Sequence, residues 1–118
     1  MFLFNLIMLC IYFLPAPPEV RDLTFISSAA ESITLQWERP DTLCAITSYY
    51  ISYDGVAMWG DNSPDSGTVP VVSDNDTVTY DLIGLVPHSN YSVQVWAETS
   101  AGSGTVATLD GLITQEDG

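Results

Sequence analysis

From Tyr91 to Ala97 the chain alternates, with Tyr91, Val93, Val95 and Ala97 on one side and Ser92, Gln94 and Trp96 on the other. A period of two is the mark of a strand with one buried face. The same pattern sets Ile33, Leu35 and Trp37 against Thr34, Gln36 and Glu38. It returns after Ile46, with Tyr49, Ile51 and Tyr53 inward and Ser48, Tyr50 and Ser52 outward. Shorter strands are predicted at Leu23–Phe25, around Val69–Val72, over Thr77–Leu85 with Tyr80 and Leu82 inward, and within Thr105–Thr114. Asp54-Gly55 predicts a two-residue hairpin turn, because such turns need positive φ, with Val56–Trp59 as the returning arm. Ser27–Glu31, Gly60–Thr68 and Ser100–Gly104 read as turns and loops, and no segment carries a helical period of useful length. Short strands separated by Gly, Pro and Asx turns predict an antiparallel sandwich.

Leu85 and Pro87 close the segment ahead of Tyr91, since Pro87 has no amide for a central ladder. A tyrosine entering a strand just after such a corner can tuck its ring into the core and turn its hydroxyl back to upstream backbone. Tyr91, Leu85, Tyr49 and Trp37 are the expected core, with Trp37 at its centre.

Composition changes the picture in three ways. The 118 residues suit one domain. Formal net charge is −13, and every acid lies at or beyond Glu19. Such a surface repels phosphate backbones and argues against nucleic acid, while favouring cationic partners or plain solubility. Met1–Leu14 is almost wholly apolar and uncharged, too short for a comfortable span of ~20 residues. Residues 1–16 are therefore expected to be a secretory signal, although a fragment of a longer chain would look similar. Cys10 falls in that leader, so the domain is expected to hold one thiol, Cys44, and no internal disulfide.

These residues, taken as a set, carry a resemblance. Leu35 and Val93 stand where an antibody-type domain has cysteines, and the tryptophan is on the second strand. Pro17, Pro18, Leu23, Trp37, Pro40, Ile46, Tyr49, Ile51, Tyr53, Leu85, Pro87, Ser89, Tyr91, Val93, Val95, Ala97, Gly102 and Gly104 follow a different pattern. It resembles the fibronectin type III module. The resemblance covers residues 17–115 and implies an all-β, seven-stranded antiparallel immunoglobulin-like sandwich of fibronectin type III topology. Residues 116–118 then read as a tail or linker to a further module. It also implies a secreted chain, or the extracellular part of a membrane protein, that reaches a membrane only through a parent chain.

Candidate chemistry is sparse. His88 is the single histidine, there is no HExxH, no phosphate-cradling loop and no nucleophile elbow. Enzyme activity is not expected, nor is a cofactor. Asp61–Asp65 and Asp74–Asp76 gather hard oxygens, but Val72 stands where a calcium loop needs its twelfth-position Glu, so no metal is assigned. Asn75-Asp-Thr77 and Asn90-Tyr-Ser92 are sequons, each a glycan acceptor if the chain is secreted. Asn75 is the better placed, because Asn90 abuts the corner.

If the topology is that of the family, the strands from Ile46 and Tyr91 lie side by side. Tyr50 and Trp96 would then share one outward face, extended by Met58 and Trp59 on the hairpin arm. Exposed aromatics of this kind are favoured protein-interface anchors. The leading expectation is a protein-binding module of a cell-adhesion or receptor-type protein. The alternative is a structural spacer in a modular array, with a hydrolase kept for contrast only. The Arg-Gly-Asp motif that some members carry near Ser100–Gly104 is absent, and so is a Trp-Ser-x-Trp-Ser motif.

Overall fold

A computed structural model describes residue 10, residues 14–58 and residues 64–116. Among these described residues eight strands run in the order β1 (Arg21–Ser28), β2 (Ser32–Glu38), β3 (Ile46–Ala57), β4 (Pro64–Val71), β5 (Thr77–Ile83), β6 (Ser89–Thr99), β7 (Gly102–Ser103) and β8 (Ala107–Ile113). They form two antiparallel sheets, β1-β2-β5 and β4-β3-β6-β7, with β8 also paired to β6. The eighth strand is the two-residue β7, a minor addition to the seven expected.

The alternating positions fill the space between the sheets. Ile33, Leu35 and Trp37 from β2 meet Tyr49 and Ile51 from β3 and Tyr91, Val93, Val95 and Ala97 from β6, all fully buried. Leu85 closes the far end at 3 % exposure. The Trp37 ring stands edge-on to Tyr49, centroids 5.4 Å apart. Such aromatic pairs add to the stabilisation that burial alone gives.

Three sequence expectations fail here, for identifiable reasons. Asp54-Gly55 is not a hairpin. The strand β3 runs through it to Ala57, with Asp54 opposite Ser92 and Gly55 opposite Tyr91. A Cβ built on Gly55 would lie 2.2 Å from the Tyr91 ring. The glycine is there to let a tyrosine lie flat against the backbone, not to turn the chain. Since Val56 therefore continues β3, the returning strand is the longer edge strand β4, which starts within the stretch read as a polar loop.

The third correction concerns the cysteines. Cys10 and Cys44 are joined in a disulfide, Cα atoms 5.7 Å apart. The bond ties the apolar segment read as a leader to the β2–β3 loop. Counting cysteines along the chain could not show this. Further along, Pro17 lies close against Gly104, where a Cβ would meet the Pro17 carbonyl at 2.8 Å. Closing a loop of this span typically stabilises a fold by ~2–4 kcal/mol.

Candidate functional site

Burial of Tyr49 and Ile51 on β3, and of Val95 and Ala97 on β6, sends their intervening neighbours outward. Tyr50 and Trp96 are register partners across β3 and β6. Their rings stack, with centroids 5.8 Å apart and planes 24° from parallel. Pro70 of β4 is the register partner of Tyr50 on the other side, so Pro70, Tyr50 and Trp96 form one row across the sheet. Next along the face comes Thr68, Ser52, Gln94 and Thr108, then Ser66, Asp54 and Ser92. Ser92 Oγ donates to Asp110 Oδ1 at 2.6 Å, which places Asp110 on the same side.

Met58 does not extend this aromatic row. Without the expected hairpin it lies eight residues beyond Tyr50, about 26 Å away along an extended strand, where its amide donates to His88 O. The run of β3 through Gly55 is the reason. Trp59 falls outside the described residues.

The opposite outer face, on β1-β2-β5, is built differently. Thr34 Oγ1 donates to Asp81 at 2.5 Å, and Thr79 Oγ1 donates to Gln36 Oε1 at 3.2 Å. Cross-strand pairs there consume one another's hydrogen-bonding capacity.

Tyr91 anchors the far end of the core. Its hydroxyl accepts from the Val86 N–H at 2.9 Å and donates to Asp65 Oδ2 at 2.5 Å. Burial first, then the hydrogen bond to Asp65, pushes its pKa up to about 12. His88 turns this corner in the left-handed region, at φ 50°. Thr114 Oγ1 donates to Val86 O at 2.7 Å and accepts from the Ser89 N–H at 2.9 Å, fastening the chain's last strand to the same corner. Asp65 was legible only as a loop acid. An acidic side chain opposite a strand glycine that faces a tyrosine is the signal that would have found it.

The remaining candidates are dispersed. Asn75 is exposed in the β4–β5 connection, where its N–H donates to Ser73 Oγ at 3.1 Å. Asn90 is exposed on β6 between Val56 and Ile113, on the same outer face as Trp96. Cys44 and His88 lie in loops at opposite ends of the sandwich, and the Cys44 sulfur is committed to its disulfide. Among the described residues no three His, Cys, Asp or Glu side chains converge to hold a metal.

A family model described as "Fibronectin type III domain" matches residues 16–108. The chain belongs to the fibronectin type III family. Fibronectin type III domains are non-catalytic modules. The chain is 35 % identical over 96 residues to human receptor-type tyrosine-protein phosphatase H, covering 80 % of this chain and 8 % of that protein. It thus spans under a tenth of that relative. Among solved structures, the FN5 domain of Drosophila Lar superposes with a TM-score of 0.58 at 26 % identity, covering 86 % of this chain and 98 % of that one. The FN1–FN3 domains of chicken CNTN1 share the fold, with a TM-score of 0.64 at 24 % identity over 86 % of this chain and 33 % of theirs. Such a domain thus has a counterpart in a receptor-type protein.

Proposed function

We propose that this fibronectin type III domain is an extracellular protein-binding module of a cell-adhesion or receptor-type protein, with the Tyr50–Trp96 face as its contact surface. The observation that carries this reading is the stacked pair itself. Two large rings stand on the outward side of a sheet whose opposite side already has a complete core. Aromatic side chains on a rigid strand pair lose little entropy on binding, which is why they recur as interface anchors. The receptor-type relative and a disulfide, which persists in oxidising compartments, support an extracellular setting. In that setting Asn75 and Asn90 are the glycan acceptors, and glycosidase treatment of secreted protein lowers its mass.

The test is cell-surface capture with the wild-type domain and with Trp96→Ser. Wild type is retained and the variant is not, while its far-UV spectrum and melting temperature match wild type. Equal retention of a folded Trp96→Ser variant would refute the reading and leave the spacer alternative, in which the face meets only a flanking module.

A further inference from the structure

We infer that the partner of the Tyr50–Trp96 face is a cationic protein surface, one that lays an arginine side chain over the stacked rings. This rests on the protein-binding reading above and specifies its chemistry. None of the strands β3, β4, β6, β7 and β8 carries a Lys or Arg; the chain's two arginines are Arg21, in β1, and Arg39, immediately after β2. The charged side chains on the outer face of the larger sheet are therefore all acidic. Glu98 follows Trp96 by two residues on β6 and so stands beside it on that face, opposite Ser48. Glu98 Oε2 accepts a hydrogen bond from Ser103 Oγ of β7 at 2.7 Å, which fixes the carboxylate on this face, one outward position along β6 from Trp96. Asp54 and Asp110 lie further along the same side.

A stacked aromatic pair with a positioned carboxylate at its border suits a planar cation. The guanidinium can lie against the electron-rich ring face, while its N–H fork reaches the carboxylate. The wider field has the same sign, since the chain carries a net charge of −13. It raises the local concentration of basic partners and slows acidic ones. A neutral apolar partner would leave Glu98, Asp54 and Asp110 unmatched at the interface, which costs binding free energy. A second copy of this chain would bring like charges together.

The experiment titrates the folded domain with three uncharged-backbone peptides that differ only in carrying Arg, Lys or citrulline. The readout is the Trp96 indole N–H resonance, assigned by its loss in Trp96→Phe. The Arg peptide shifts this resonance at low salt, and the shift shrinks as salt is raised, because exposed charge pairs are screened. Citrulline, which keeps the shape without the charge, leaves it unmoved. Glu98→Gln weakens Arg binding by roughly two- to fivefold, the size of an exposed cation contact. A citrulline shift equal to that of Arg, an Arg response unaltered in Glu98→Gln, or no response to Arg at low salt would each overturn the assignment. Cell-surface capture that still depends on Trp96 would then show that the face binds protein of another chemistry. Capture indifferent to Trp96 would show that the protein-binding reading had itself failed.

Discussion

Two buried tyrosines occupy the same core and are treated in opposite ways. Tyr91 has both hydrogen-bonding roles filled, by the Val86 N–H and by Asp65, and a strand glycine makes room for its ring. Tyr49 is equally buried, yet among the described residues neither its hydroxyl nor the neighbouring Trp37 Nε1 has a hydrogen-bond partner. Burial raises the Tyr49 pKa and Asp76 adds to it; Arg39 lowers it, as does the approach of the Trp37 N–H, which falls short of hydrogen-bond geometry, but burial outweighs both. The Tyr91 end of the sandwich is therefore held by specific polar geometry, and the Tyr49 end by packing of apolar ring surface. The lesson is that the same residue type can stabilise through its oxygen in one place and in spite of it in another.

Substitutions at the two ends should separate these modes. Trp37→Ala removes the ring against which Tyr49 packs and is expected to cost ~3–5 kcal/mol, close to unfolding a domain of ordinary stability; chemical denaturation measures it. Gly55→Ala drives a methyl into the Tyr91 ring and should cost ~1–3 kcal/mol, with the near-UV signal of the tyrosines altered. Tyr91→Phe keeps the ring but orphans the Val86 amide, for a loss of ~1–3 kcal/mol. Tyr49→Phe deletes an unpaired buried hydroxyl, so stability should stay within ~0.5 kcal/mol of wild type or rise by up to ~1 kcal/mol. If Tyr49→Phe proved as costly as Tyr91→Phe, the contrast would collapse.

Alkaline titration sharpens the same comparison. Both phenols have folded-state pKa values raised above the ordinary 10.0, Tyr91 to about 12. Folding thus favours the protonated forms. Their contribution is fully present below about pH 10 and is lost as pH rises towards 12. The melting temperature should fall across that interval. Phenolate absorbance from these two rings should emerge together with unfolding, and Tyr91→Phe should flatten the fall.

What could be seen in the sequence was whatever a period of two encodes. Trp37, Tyr49 and Tyr91 fall on the buried parity of their strands, and the outward parity places Tyr50 beside Trp96 once β3 and β6 pair in register. The hairpin at Asp54-Gly55 was misread because a glycine beside an aspartate looks the same whether it relieves φ or makes room for a ring across the sheet. Only the partner strand decides, and that partner lies thirty-six residues away at Tyr91. The disulfide was hidden for a related reason. Cys10 and Cys44 stand 34 residues apart, and their approach leaves no local pattern. Asp65 was equally opaque, since its role depends on a phenol from another strand.

The fastening of Thr114 and Gln115 at the Tyr91 corner has a mechanical consequence. Gln115 donates its amide to Ala29 O and accepts from the His88 N–H, at the end of the sandwich opposite to where Pro17 meets Gly104. Tension applied between residues 17 and 115 would run nearly parallel to the strands. It would load the β1–β2 and β6–β8 ladders in shear, so that many backbone bonds must yield at once rather than peel one after another.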